Sequence, residues 1–483
     1  MKPDVRAALI AIGVVAIVWT AAAATLVPLH RWFAWDEAVY FAKASPKLPT
    51  ITWAPERDIG FPALLWPVVA AGGGLLATRV ELLLLCGVGA FVAYTAWIGA
   101  IGAAAPAAAM LFLSSWPALF FGSELYPHMV VALAIVGAFG AASASVKTDR
   151  ARPAVVGFAF AAFASCIRPT DVLLAVAAGV PVLFLLERWR ARAAMIALLG
   201  GAAVGCAMWV IEAFVVFHSP IARWRDAFSN QPVRDPRRGV LLGLAHRGLD
   251  TPLRAAPVVM AVAWLVGLTL LAVAGVFVAH HRGQLSAVLP AAVAGAVVVG
   301  AYSVYWADTG ARFLIPGFAL VSIPAGVAVH AAWRAALTRP ATLRGAAGVA
   351  ICAAVAATVV LHAHAANVIA TRERAVRAVD HATGVELARR AAGRPCRFVA
   401  QFNFPAVEVA SGCLGKRARY DTVASLPRAF RAPRDGWVRF AVGPKPPVAG
   451  SPVAGWEPVA VRGAPGMRVY VAPEVRATGK SRG

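Results

Sequence analysis

Acidic residues are scarce in this 483-residue sequence: 23 Asp and Glu stand against 46 Lys and Arg, and charged residues of both signs make up only 14% of the chain. With 60% of positions hydrophobic, that scarcity excludes a soluble protein, because too little polar surface exists to cover so large an apolar content in water. It also argues against nucleic acid as a partner. A basic footprint for phosphate backbones needs a soluble face, and residues 1–365 offer none. Dinucleotide-binding glycine fingerprints, Walker loops and metal-spaced Cys/His sets are missing too. No cofactor is obligatory on this reading; a divalent cation is compatible with the chain, but nothing in the sequence indicates one. His362 and His364 form an HxH pair, and i and i+2 on a helix point apart, so no metal site is expected there.

What the sequence does have is a series of long apolar runs. About 20 apolar residues cross a bilayer. About 11 runs of that order lie near residues 6–28, 79–100, 103–122, 126–146, 153–167, 170–186, 193–216, 256–279, 285–306, 313–332 and 345–365. The first ends in Ala21 to Ala24, which resembles a signal cleavage site, but it reads better as an uncleaved anchor. Residues 59–76 are apolar too, yet their two prolines and three consecutive glycines suit an interfacial segment better than a spanning helix. As one helix, residues 153–187 would run about 52 Å, well beyond a ~30 Å hydrocarbon core, with Arg168 and Asp171 in its middle. Two short spans that turn at Arg168 to Asp171 avoid this.

That topology gives the cytoplasmic pieces 12 Lys and Arg against three acids, as the positive-inside rule expects. It also leaves two basic stretches outside. Residues 217–255 carry seven Arg against three Asp, and the tail beyond 366 carries 20 Lys and Arg against eight acids. A single span over 153–187 would obey the charge rule better and stays open as the alternative.

The sequence thus divides into a transmembrane domain, 1–366, and a basic extracytoplasmic soluble domain, 367–483. The first outside loop, 29–78, carries juxtamembrane helices. In the tail, strand-like runs at Arg397 to Ala400, Trp437 to Val442 and Met467 to Ala472 surround a short helix at PAVEVASG, which makes a small α/β unit. Cys86, Cys166, Cys206 and Cys352 sit in apolar runs as small hydrophobes. Cys396 and Cys413 are the two in the tail, a pair able to close a disulfide in an oxidising compartment.

Chemistry concentrates in the first outside loop, HRWFAWDEAVYFAKASPKLPTITWAPERDIGFP. Asp36 and Glu37 stand side by side at the start of an expected helix that runs to about Ser45, among Trp32, Phe33, Trp35, Tyr40 and Phe41. One reading is an interfacial helix with an aromatic belt, its acids favoured by the helix dipole. The other is a carboxylate acting as general base on a hydroxyl, with aromatic faces for a sugar ring or a prenyl chain.

Over residues 30–85, WDEAVYFAKAS, ERDIGFPALLW and RVELL resemble, in that order, the start of GT-C fold glycosyltransferases. These are the polyprenyl- and dolichyl-phosphate-sugar transferases that include protein mannosyltransferases and the aminoarabinose transferase acting on lipid A. Further along, SELYPHMVVAL, CIRPTDVLLA and ARFLIPGFAL resemble later family segments in order and spacing. The resemblance implies a polytopic α-helical membrane protein of GT-C-like fold, multi-pass in the plasma membrane, with a small C-terminal soluble α/β domain. Its active site and that domain would be extracytoplasmic. The implied activity is an inverting hexosyl- or pentosyltransferase that moves a sugar from a polyprenyl-phosphate donor to a hydroxyl of a protein, lipid or polysaccharide, among membrane lipids.

In that pattern Asp36 matches the catalytic base, and Glu37 is its catalytic-site neighbour. Because i and i+1 do not share a helix face, Glu37 would orient a cation or the acceptor instead. Arg57, Arg168 and Arg312 lie at outside ends of spans and are the candidates for the donor phosphate. Arg312 is favoured, since the family opens a late span with a basic residue there; snorkelling is the plain alternative for Arg57 and Arg168. Trp35, Tyr40, Glu124 and His128 are candidates for contact with acceptor, sugar or lipid, and Glu124 equally suits a helix cap. The seven-arginine loop reads either as an element that closes over the lipid phosphate or as solvated interfacial charge. Two other classes stay open: a transporter or flippase of lipid-linked glycans, which would bury ionisable groups in mid-span, and a non-catalytic envelope scaffold whose basic tail holds an anionic polymer.

Overall fold

A computed structural model of the chain describes residues 3–46, 48, 57–230, 256–305, 311–400, 404–417, 437–447, 451 and 453–473. In chain order, α1 (Pro3–Leu26) is followed by two loop helices, α2 (Trp35–Ala44) and α3 (Gly60–Ala70), and then by α4 (Leu75–Thr95). A broken stretch of α5 (Ile98–Ile101), α6 (Ala105–Leu113) and α7 (Trp116–Phe121) leads to α8 (His128–Thr148), α9 (Ala151–Ile167), α10 (Pro169–Glu187) and α11 (Arg192–Phe217). Next come α12 (Pro220–Asn230), α13 (Ala256–His281), α14 (Leu285–Tyr305), α15 (Ile315–Leu337) and α16 (Ala341–Ala391), and the tail adds α17 (Phe404–Ser411). Among the described residues, eight helical stretches are long and apolar enough to cross a membrane, and Gly60–Ala70 and Ala151–Ile167 are shorter apolar helices. The chain is a multi-pass helical membrane protein.

Two compact units are present: Met1–Val27 with Ala54–Phe61 and Arg79–Ala370, and Pro28–Trp53 with Pro62–Thr78 and Thr371–Gly483. In the first, α8 is buried without interruption from His128 to Ser145, as an all-round apolar helix must be. Its small residues admit close neighbours. Helix α11 packs on α9 through Gly201 and Gly205, where a side chain would run into Ala161 and Ser165. Helix α9 stops at Ile167 and α10 starts at Pro169, so residues 153–187 form two helices. A proline disfavours helical backbone at the residue before it, and Arg168 accordingly leaves the helix at φ −151, ψ 85.

One expectation needs correction. Residues 103–122 are not one span: α6 ends at Leu113 and α7 begins at Trp116, with prolines near the starts of both helices. The last apolar run, near 345–365, lies inside helix α16. Helix α16 has 51 residues, about 76 Å at ~1.5 Å per residue, and continues into the polar tail. It stops only where Ala392 and Gly393 take positive φ, just before Pro395. The 217–255 loop is helical over α12, and its residues 231–255 lie outside the described ones.

The tail of the second unit holds five strands, β1 (Cys396–Ala400), β2 (Leu414–Arg417), β3 (Val438–Gly443), β4 (Glu457–Ala460) and β5 (Arg468–Val471), in the order β2-β1-β3-β5-β4. Strand β1 is parallel to β2 and β3, while β5 is antiparallel to β3 and β4. Strand alternation sends Phe398, Phe440 and Val469 to one face, against Leu387 of α16 and Val407 of α17, and Val399, Ala441 and Tyr470 to the other. Helix α17 is the crossover between β1 and β2, and a Cys396–Cys413 disulfide joins the starting ends of these two parallel strands.

Glu408 of α17 is buried under this sheet. Burial pushes its carboxyl from the ordinary 4.5 up to about 7, against the opposing hydrogen bond from the Gly415 N–H. The raised value means that the folded state favours the protonated acid. Its stabilising contribution is therefore complete below about pH 4.5 and lost as pH rises through about 7. We expect Glu408→Gln to remove a loss of up to ~3 kcal/mol between about pH 5 and 8, read by hydrogen exchange of the β1 amides in the full-length protein; an unchanged pH dependence would contradict it.

Candidate active site

The first unit gathers charge at the broken ends of its helices. At the α9/α10 break, Arg168 donates from Nε to Asp171 Oδ2 at 2.8 Å and from a terminal nitrogen to Asp171 Oδ1 at 3.4 Å. The Tyr302 hydroxyl donates to Asp171 Oδ1 and accepts from Arg168 at 3.3 Å. Proline at the first position of α10 frees this turn for a side-chain network, and the wholly buried Asp171 is matched by two donors.

Arg312, in a short 3-10 turn (Ala311–Leu314) before α15, lies over the rings of Tyr126 at 4.6 Å and Phe313 at 5.0 Å. Arg168 approaches the same Phe313 ring at 5.4 Å. The His128 ring meets Phe313 edge-on at 4.8 Å; His128 is buried, and neither of its ring nitrogens has a hydrogen-bond partner among the described residues. Two arginines and an unbonded imidazole thus surround one phenylalanine. Aromatic faces fix where both guanidinium groups lie, with Arg168 held also by Asp171 and Tyr302.

A second network centres on Arg223 of α12, which has no solvent exposure. It donates to Asp58 Oδ1 at 3.0 Å, the Arg57 carbonyl at 2.8 Å and the Trp209 carbonyl at 3.0 Å. It also pairs with Glu212 at 3.2 Å and lies over the Trp209 and Phe217 rings. Glu212 accepts the Ile59 N–H at 3.3 Å. One cation thus serves two carboxylates. Burial above all, with Glu212 adding to it, pushes Asp58 up to about 7 in spite of Arg223 and Arg168.

In the second unit, α2 begins at Trp35 with both acids in its first turn. Glu37 is wholly buried: its carboxylate accepts the Ala34 N–H at 2.8 Å and pairs with Arg377 of α16 at 2.8 Å. Arg377 also donates to the Trp32 carbonyl at 3.3 Å and to Glu373 at 3.1 Å. Asp36, on another side of the helix, is half-buried. Trp35 packs edge-on against Phe404 at 4.8 Å, and Trp32 donates its indole N–H to the Ala406 carbonyl at 3.0 Å. Tyr40 is buried within the helix's packed face.

Of the residues singled out from sequence, Arg168, Arg312 and His128 come together on Phe313. Arg57 contributes its carbonyl to the Arg223 network. Glu124 is wholly buried 3.7 Å from Arg79. His362 accepts the Trp116 N–H on Nδ1, and among the described residues no three His, Cys, Asp or Glu gather as metal ligands. Asp58, Asp171, Glu212, Arg223, Tyr302 and Arg377 are the residues that sequence reasoning did not select. Asp171 had a signal in its RPTD turn; Arg377 had none beyond lying in a charged run.

The helical order and the tail sheet together make the GT-C fold that the sequence resemblance implied. No protein-family model matches the chain, and no curated protein matches it. Among solved structures, it is similar to ArnT from Cupriavidus metallidurans bound to undecaprenyl phosphate, with a TM-score of 0.64 at 14% identity over 96% of this chain and 97% of that one. It is likewise similar to the apo state of the same protein, with a TM-score of 0.60 at 15% identity over 89% and 92%.

Two outcomes follow from these networks. Arg377→Met strands a buried Glu37 and should cost ~3–5 kcal/mol, whereas the Glu37→Gln/Arg377→Met double variant should recover part of that, with a coupling of about 1–3 kcal/mol in thermal unfolding; additive losses would deny the pair. Asp58→Asn keeps a neutral group beside Arg223. It should abolish the loss of stability that the wild type shows as pH rises from about 4 through about 7, measured by unfolding midpoints across that range.

Proposed function

We propose that this protein is an inverting glycosyltransferase that moves a sugar from a polyprenyl phosphate to an acceptor hydroxyl on the extracytoplasmic side of the plasma membrane. The observation that carries the reading is the gathering of Arg168 and Arg312 on Phe313 in a fold whose ArnT example was captured with undecaprenyl phosphate. The Cys396–Cys413 disulfide supports the side, since such bonds persist in oxidising compartments.

In the proposed step the acceptor oxygen attacks the anomeric carbon, and the bond from that carbon to the phosphate oxygen breaks with its electron pair leaving on phosphate. The acceptor proton passes to the Asp36 carboxylate. The departing phosphomonoester is a weak base and needs no proton, so catalysis reduces to a base for the hydroxyl and cations for the growing phosphate charge. Asp36 supplies the first, and Arg168 and Arg312 the second, with His128 as a further donor toward the same anion. Trp35 and Tyr40 are aromatic neighbours of Asp36 in sequence, the kind of faces on which a sugar or prenyl chain packs.

Asp36→Asn should lower transfer of sugar from a radiolabelled polyprenyl-phosphate donor by about 10²- to 10⁴-fold in membranes where the variant is expressed as well as wild type. Full transfer by that variant would remove Asp36 as the base. Arg312→Gln should lose transfer also, and transfer unaffected by it would remove the phosphate role.

A further inference from the structure

Within the second unit, a cleft of about 330 Å³ opens between the loop His30–Trp32, the first turn of α4 and one face of α16. Helix α16 presents Arg374, Ala378 and His381 there; the spacing i, i+4, i+7 keeps all three on a single stripe. The loop adds His30 and the buried Arg31, so two arginines and two histidines are among the lining residues, with no carboxylate among those described. Arg31 is not a surface side chain reaching for water. It is 1% exposed, and its guanidinium is anchored by a 2.7 Å bond to the Pro28 carbonyl.

The rest of the wall is apolar and ordered. Leu75 and Leu76 open the long apolar helix α4, and Leu76 stays 53% exposed. The Trp32 ring lies 4.2 Å from the His381 ring, tilted by 36°, and is tethered by its indole N–H to the Ala406 carbonyl. A cationic rim thus meets an apolar floor where a membrane-length run begins. Free anions need no such floor, and neutral lipids need no such rim. The volume lies at the small end of ligand sites, ~300–1,000 Å³, which fits a headgroup and the first carbons of its chains.

We propose that this cleft binds the phosphate headgroup of an anionic membrane phospholipid. The exposed Arg374 fork grips the phosphate, the buried Arg31 adds its positive charge from behind, the imidazoles donate further hydrogen bonds, and Leu75, Leu76 and Trp32 take the adjoining glycerol and acyl carbons. The site is independent of the transfer chemistry proposed above, and its test needs no activity.

The test uses the full-length protein in a neutral detergent. Binding is followed by native mass spectrometry with phosphatidylglycerol, with phosphatidylcholine, and with inorganic phosphate as competitor. Phosphatidylglycerol should bind at least tenfold tighter than phosphatidylcholine. Arg374→Glu, a change at an exposed position, should lower that affinity at least tenfold, whereas Arg462→Glu, exposed and outside the cleft, should leave it within twofold. Equal binding of the two lipids overturns the proposal, as does unchanged phosphatidylglycerol binding by Arg374→Glu. Displacement of the lipid by an equimolar amount of inorganic phosphate overturns it too, since the cleft would then be a site for free phosphate.

Discussion

A carboxylate withdrawn from water into an apolar protein must be matched by a cation or give up its charge, and much of this structure follows from how that demand is met. Glu37, Glu124, Asp171 and Glu212 are buried, and each faces an arginine: Arg377, Arg79, Arg168 and Arg223. Arginine suits the task because its planar fork serves several acceptors together. Arg223 shows this best, reaching two carboxylates and two backbone carbonyls from one side chain. Lysine would offer one point charge there and leave the carbonyls unmet.

The same demand explains why two carboxyls in unlike places titrate alike. Asp58 shares its arginine with Glu212, whose charge adds to the upward push of burial on Asp58. Glu408 lies against the tail sheet with one backbone N–H for company. Burial is the leading cause for both, and both are pushed to about 7. In the first the nearby charges only moderate the effect; in the second almost nothing opposes it. Desolvation, more than any particular neighbour, therefore sets the titration of these two acids.

How much of this is legible in the sequence depends on the range of the interaction. Breaks are local: Pro169 stops α9 at Ile167, and the RPTD turn is visible as four letters. The three anticipated strands and the tail helix are local too, as alternation and turn residues, although β2 (LGKR) and β4 (EPVA) lack the run of β-branched and aromatic residues that marks the other strands. The run 103–122 was apolar enough to pass for a span, because hydropathy does not register the break between Leu113 and Trp116. Arg377 meets Glu37 across 340 positions, and Tyr302 meets Asp171 across 131. No window of sequence contains both partners, so neither pairing has a signature. Asp36 and Arg312 drew attention only through motif order.

Helix geometry then divides the labour of the two adjacent acids. Successive residues on α2 point about 100° apart, so a helix packed on one side can bury one of them and spare its neighbour. Glu37 goes inward, where its charge is used up by Arg377 and by the first turn of the helix. Asp36 stays half-buried, outside that ion pair. On the proposed reaction this division matters more than the presence of two acids. A pair acting together would hold a proton between them and compete with the acceptor hydroxyl for it, whereas a neighbour locked in an ion pair leaves one carboxylate to take that proton alone.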